Sequence, residues 1–542
     1  MRIVTRLSAW LMLAVLVGGC GAKKEASAPP PSVATESRAD DPDRTVGEPA
    51  PVERSLSDND RTASEEEAAS SDVPPSVAMP AEAAPEVIAP RIDRSARVDA
   101  EREEVRPRPR MAPPPMAAPG SRSESVDDAE DPNRDADERG YVLEKIYYGT
   151  DRAPQTSASD RSAAYRAAFK RSLTFAAIGL TLFIAAVWFS THRVVAAALA
   201  VACLLGSAWF ARSALLEKQQ AALDDRNQNR RYGHTIHIVD GKHVLERGIC
   251  WVSVPAVHVR GSGELEAPRI FELSVDPKEH FQLQRVQLSD RDTFLYDFRQ
   301  SVQGSTAKHA FVFIHGYNVD FREAALRTAQ LRYDLDFDGP AALFSWPSNG
   351  EMLSYATDEE TVNLTVRSGV LNEFLTDLID ETGVESIHLI AHSMGNRALT
   401  RAFEDLPDRK NSRGEKRINQ LIMAAPDVNP AEFRLLAERI EQLTRSRTLY
   451  ASEKDIALIG SEILRRSTYT RLGQGGAHRV VIDGVQTIDA SNLDQKIFDL
   501  GHSYYVHPLV MRDLKHLLNS AQVVPARPWL LPVENYWEFL TD

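Results

Sequence analysis

Between residues 309 and 451, short apolar runs alternate with segments of helical spacing, and this alternation limits the fold more than any other feature of the chain. His309–Tyr317 (HAFVFIHGY) is one such run, ending in a turn at Gly316 and Asn318. Ala341–Pro347 (AALFSWP), Ser386–Ala391 (SIHLIA), Ile418–Ala425 (INQLIMAA) and Arg447–Ala451 (RTLYA) follow. Thr361–Gly383 carries apolar residues at 364, 370, 371, 374, 375, 378 and 379, the spacing of one helix face. Further helices are expected over about 394–406 and 430–443. Strands alternating with helices of this length predict an α/β fold with a mostly parallel central sheet covered by helices. Reactive groups in such sheets collect at the carboxyl ends of the strands.

One strand end carries a serine in a demanding setting. Ala391-His392-Ser393-Met394-Gly395 joins the SIHLIA strand to the next helix. Small residues two positions either side of a serine let it sit on a sharp strand-to-helix turn, where bulkier neighbours would clash. The free N–H groups of the helix start then point at the reacting centre. Ser393 is therefore the expected nucleophile. Ile314-His315-Gly316-Tyr317-Asn318 closes an earlier strand, where hydrolases of this type place one oxyanion donor. The two backbone donors are assigned as Tyr317 and Met394, with Gly316 allowing close approach. His315 reads as a structural histidine beneath that loop.

The other two members of a triad should follow in the order acid, then histidine. His478, His502, His507 and His516 lie after Ser393. His478 begins a strand-like stretch, HRVVIDG, and His507 opens the final helix before Pro508. His516 falls within that helix. His502 lies in Leu500-Gly501-His502-Ser503-Tyr504, a loop between the last strand pattern and the final helix, and is the expected base. Asp455 follows RTLYA directly and is the expected acid; Asp427, in Ala425-Pro426-Asp427, is the alternative. Such a triad needs no metal or organic cofactor. His234, His237 and His243 surround Asp240-Gly241 and read as a hairpin surface, not as metal ligands.

The set IHGYN, FSWPSNG (344–350), AHSMGN (391–396), AAPD (424–427) and GHSYY (501–505) resembles the α/β-hydrolases called domain of unknown function 900. IYYGTDR (146–152) and the stretch from Tyr232-Gly233 through Val252-Ser253-Val254-Pro255 to His258 and Gly261 also fit. The resemblance covers 141–160 and about 231–520. It implies an esterase- or lipase-like serine hydrolase acting on an acyl ester, small or lipid-like, without defining the substrate. An acyltransferase with the same nucleophile and a non-catalytic envelope scaffold are the alternatives. A complete Ser-Asp-His set has no structural purpose, which weighs against the scaffold.

The rest of the chain points to a membrane. Arg2 and Arg6 begin a short basic start, and Leu7–Val17 is apolar over the length of a signal core. Gly18-Gly19-Cys20 then resembles a bacterial lipoprotein signal, which would make Cys20 the lipidation site. Residues 21–140 hold 18 of the 31 prolines and no Phe, Trp or Tyr. They also hold 16 Lys+Arg against 28 Asp+Glu, a net −12 of the total −14. Such a stretch cannot offset its ordering entropy by burial and is expected to be a disordered tether. The net −2 left for the rest of the chain excludes a strongly basic nucleic-acid binder.

Leu173–Phe189 and Val194–Ala211 are 17 and 18 residues without a charge, and neither run has a polar face. Both lie at the short end of the spanning range, so a transmembrane helical hairpin is expected across 173–211. Arg161, Arg166, Lys170 and Arg171 before it, with Arg212 and Lys218 after it, favour a cytoplasmic location for both flanks. The N-terminal signal favours export, because it acts first, and a periplasmic catalytic domain is the expectation. The expected organisation is signal 1–20, tether 21–140, start of the hydrolase 141–172, hairpin 173–211 and catalytic domain 231–542.

Overall fold

The structure, a computed structural model, describes residues 139–155, 163–188, 193–269, 271–350, 354–455, 457–458, 470–494, 502–520 and 526–541. The signal, Cys20 and the tether up to residue 138 lie outside the described residues. The chain begins with β1 (Tyr141–Thr150), β2 (Arg152–Pro154), α1 (Ala163–Trp188) and α2 (Arg193–Asn227). Next come β3 (Tyr232–Ile236), β4 (Ile238–Val239), β5 (Lys242–His243), β6 (Glu246–Pro255) and β7 (Gln282–Ser289). The alternating part runs α3 (Arg291–Gly304), β8 (His309–Ile314), α4 (Phe321–Asp334), β9 (Ala341–Ser345), α5 (Tyr355–Ser368) and α6 (Val370–Glu381). It continues through β10 (Ser386–His392), α7 (Gly395–Ala402), β11 (Ile418–Ala424), α8 (Pro430–Leu443) and β12 (Thr444–Ala451). The last elements are β13 (Gln486–Asp489), α9 (Pro508–Asn519), β14 (Leu530–Val533) and β15 (Tyr536–Phe539).

Among the described residues, eleven strands form one sheet in the order β14-β15-β13-β12-β11-β10-β8-β9-β1-β6-β7. The strands from β15 to β1 run parallel, and the pairs β1–β6, β6–β7 and β14–β15 are antiparallel. Every residue of β8, β9 and β11 is buried, as expected where helices cover both faces. On one face Phe294, Val362, Phe374, Leu399 and Phe433 bring α3, α5, α6, α7 and α8 onto the sheet. On the other, Phe321, Leu331, Val510, Leu514 and Leu517 bring in α4 and α9. This is the α/β fold that the alternation predicts.

Four local expectations change. The helical spacing over 361–383 is two helices, because Gly369 takes φ +75° and its N–H bonds back to the Val366 carbonyl, ending α5. The helix expected to 406 ends at Ala402, where Glu404 and Asp405 bond back over three residues in tighter turns. HRVVIDG lies outside the strands: Arg479 is drawn to Asp489, with Nε 2.7 Å from Oδ2, and lies over the Tyr536 ring. β14 and β15 follow the helix expected to be the last element.

The described part of the first uncharged run, up to Trp188, falls in α1 and the second run in α2, and the two helices lie antiparallel. Ser172 Oγ and Ser207 Oγ are 3.2 Å apart, and the Phe175 and Phe210 rings stack at 5.2 Å. Leu173, Ile178, Leu180, Val201, Leu204, Leu205 and Trp209 are exposed. Among the described residues, one helix, over Ala197–Asn227, is long and apolar enough to cross a membrane, and only 11% of its apolar window is buried.

Candidate active site

Ser393 sits between the last residue of β10 and the first turn of α7, at φ +51°. A non-glycine residue holds that conformation at a cost of about 1–3 kcal/mol, and the surroundings must impose it. Asn396 does so: its side-chain NH2 donates to the carbonyls of Ala391, Ser393 and Ala424 at 3.1–3.2 Å. The Ser393 N–H also bonds to the Ala424 carbonyl at 3.0 Å. Gly395 is required by space, since a Cβ there would lie 2.5 Å from the His315 carbonyl oxygen and 2.6 Å from that of Ile314. A Cβ at Gly316 would lie 2.7 Å from Ser393 Cβ, so the IHGYN loop passes directly over the serine.

That loop is held from below by groups distant in sequence. Arg152 is fully buried and spreads its guanidinium under it. Nε donates to Ser345 Oγ at 2.8 Å, Nη1 to the Gly233 and Ser348 carbonyls at 3.0 Å, and Nη2 to the Val319 carbonyl at 2.9 Å. Trp346 Nε1 donates to the His315 carbonyl at 2.8 Å, and the two rings stack at 5.2 Å. Asp358, at the start of α5, accepts from Ser348 Oγ at 2.6 Å and from Asn349 N–H at 2.8 Å. It also accepts from Asn318 N–H at 3.3 Å. His315 is buried, and burial beside Arg152 lowers its pKa to about 3, so it is a neutral structural residue.

His502 and Asp455 come together from loops 47 residues apart: His502 Nδ1 lies 2.9 Å from Asp455 Oδ1 and 2.8 Å from Oδ2. Asp455 is buried and also accepts from the Leu458 N–H at 3.0 Å. Burial raises its pKa, against the opposing pull of His502. Asp427 is engaged elsewhere. It accepts from Tyr355 Oη at 2.6 Å and from Arg397 Nη2 at 3.1 Å, and Arg471 Nε lies 3.2 Å away. Burial disfavours its charge, but the two guanidiniums outweigh that and hold it below the usual carboxylate range.

A cleft of about 400 Å3 lies at this end of the sheet, lined by Gly316, Tyr317, His392, His502, Tyr505 and Leu265 among others. Ser393, 3% exposed, abuts it through Gly316. Sequence reasoning missed His392. Its ring lies tilted against Tyr505 at 4.4 Å and against His502 at 4.7 Å, and its Nε2 lies 3.2 Å from the His502 carbonyl. The carbonyl accepts, so the proton is on Nε2, and burial holds the ring neutral with its pKa well below the usual value. Its place inside the AHSMGN motif was the available signal.

Of the other histidines, His507 caps α9 by accepting from the Leu509 N–H at 3.2 Å. His478 ends a short turn, and His516 packs against Trp529. His234, His237 and His243 face different partners: the Ser348 carbonyl, Glu246 and Asp151. Among the described residues one group, Glu272, Glu279 and His280, could bring ligand atoms within 4.8 Å of one another. Both His280 nitrogens are already engaged, Nε2 with Glu272 at 3.0 Å and Nδ1 with the Asp276 N–H at 3.1 Å, so the group reads as a loop fastening.

Residues 290–520 match the family model described as alpha/beta hydrolase of unknown function (DUF900). That region holds Ser393, Asp455, His502 and the IHGYN loop. No curated protein matches the chain. The matched model and the strand order agree on an α/β-hydrolase fold.

Proposed function

We propose that the protein is a membrane-anchored serine hydrolase that cleaves carboxylic esters through Ser393, His502 and Asp455. The observation that carries this reading is the His502–Asp455 pair, with the His502 ring 4.7 Å from that of His392, the residue before a serine on a strained strand-to-helix turn. Asp455 accepts a hydrogen bond from Nδ1–H, so Nε2 is the basic nitrogen. His502 Nε2 takes the Ser393 proton as the oxygen attacks the ester carbonyl. The Tyr317 and Met394 N–H groups stabilise the oxyanion, each contributing about 3 kcal/mol. Collapse of the tetrahedral species expels the alcohol, which takes the proton from His502 and leaves an acyl-serine. Water, deprotonated by His502, then releases the acid.

The test is labelling by a fluorophosphonate probe together with turnover of 4-nitrophenyl esters. Wild type should label. Ser393→Ala and His502→Ala should not, and should lose about 10⁴-fold or more in kcat. A folded wild type that does not label and turns over no ester would remove the reading. Product analysis with added alcohol acceptors separates hydrolysis from acyl transfer.

A further inference from the structure

The loop between β6 and β7, residues 256–281, joins the cleft to the apolar helices. At its first end, His258 is gripped by Asp334 at the end of α4, Nε2 to Oδ1 2.7 Å, and by Glu266, Nδ1 to Oε2 2.8 Å. The N–H groups of Gly261 and Gly263 also donate to Asp334, at 2.8 and 3.2 Å. Leu265, just beyond, lines the cleft together with His502. At its other end the loop is fastened to α2. Arg212 Nε donates to the Glu272 carbonyl at 3.0 Å, and Nη2 to the carbonyls of Pro268 and Arg269 at 2.5 and 2.7 Å. Gln219 Nε2 donates to the Leu273 carbonyl at 2.7 Å.

Arg212 is the first charge after the 18 uncharged residues of α2, and its guanidinium lies 5.7 Å from the centre of the Trp209 ring. A helix crossing a bilayer places such an Arg and Trp at the headgroup level. The carbonyls that Arg212 holds are therefore at that level too. Between them stands Phe271, 93% exposed, followed by Leu273 at 56%. An apolar side chain bare to water next to the end of an apolar helix is explained if the same membrane covers both. Leu265 and Phe271 are six residues apart, a span of at most about 20 Å.

We propose that residues 268–269 and 271–273 lie on the bilayer that holds α1 and α2, with Phe271 and Leu273 entering the acyl boundary, and that the substrate is an acyl ester of a membrane lipid entering the cleft past Leu265. This rests on the ester-hydrolase reading and adds the substrate class.

The full chain is reconstituted in vesicles of phosphatidylethanolamine and phosphatidylglycerol. Fatty-acid release from those lipids and hydrolysis of 4-nitrophenyl acetate are measured in the same sample. The readout is the ratio of the two rates, which general damage to the site does not move. In the double variant Phe271→Asp, Leu273→Asp the ratio should fall about tenfold, and in Phe271→Trp it should stay within twofold of wild type. An unchanged ratio in the double variant overturns the proposal, as does a wild type that cleaves the soluble ester and no lipid. A double variant that changes oligomeric state with an unchanged ratio assigns the patch to a second copy and also overturns it. A wild type inactive on both substrates removes the hydrolase reading itself, and the lipid substrate with it.

Discussion

Two aspartates at neighbouring strand ends are told apart by their partners. Asp455 faces His502, whereas Asp427 holds Tyr355 and Arg397 beside Arg471. Their substitutions should therefore fail in different ways. Asp455→Asn should lower kcat by about 10⁴-fold with the fold kept, because the imidazole loses its orienting acceptor. Asp427→Asn leaves two guanidiniums without their carboxylate and should cost about 3–5 kcal/mol of stability. Denaturant melts and esterase kinetics on both variants check this; equal kinetic losses would contradict the assignment of roles. Chain order and strand ends made both residues visible in the sequence. The partners that separate them, Arg397 and Arg471, are 30 and 44 residues beyond any local pattern around Asp427 on either side of it. Asn396 was visible only as a letter in a motif, since its three carbonyl acceptors come from two strands and the turn between.

At the scale of elements, the contact of the β6–β7 loop with α4 is an ion pair with a definite pH window. Burial pushes the His258 pKa down, but Asp334 and Glu266 outweigh it and raise it above the usual histidine value. Asp334 is disfavoured by burial too, yet His258 and the Gly261 N–H hold it below the usual carboxylate range. A raised histidine stabilises fully below its unfolded pKa and loses that contribution as pH rises through the folded value. A lowered aspartate stabilises above its unfolded pKa and loses that contribution as pH falls through the folded value. The pair should thus contribute most between about pH 4 and 6.5. The difference in Tm between wild type and Asp334→Asn should be largest in that window and shrink at higher pH. A difference independent of pH would contradict a charged pair. The strands and helices of the alternating region were legible because their burial pattern is local. The break at Gly369 was not, because a single glycine in a helical pattern does not announce its φ.

For the whole molecule, α2 fastens the helical pair to the α/β domain. Glu217 pairs with Arg322 at 3.1 Å, and Gln220 and Asn227 donate to carbonyls of β7 at 3.0 and 2.7 Å. One continuous helix thus carries an apolar half outside the domain and a polar half docked on it. The full chain should remain with membranes after an alkaline carbonate wash, and so should Cys20→Ala. Adding Val201→Lys and Leu205→Lys to Cys20→Ala should release the protein; retention would mean that the hairpin is not the anchor. The sequence by itself determined the α/β class, the serine on its turn and the apolar runs, because periodicity, small flanking residues and uncharged length are properties of neighbours along the chain. Tertiary structure alone decided that Tyr355 and Arg397 take up Asp427, that Arg152 supports the loop over Ser393, and that a cleft-lining loop is tied to α2 beside its apolar end. Those facts depend on contacts between residues tens to hundreds of positions apart, whose partners are chosen by how the sheet orders its strands.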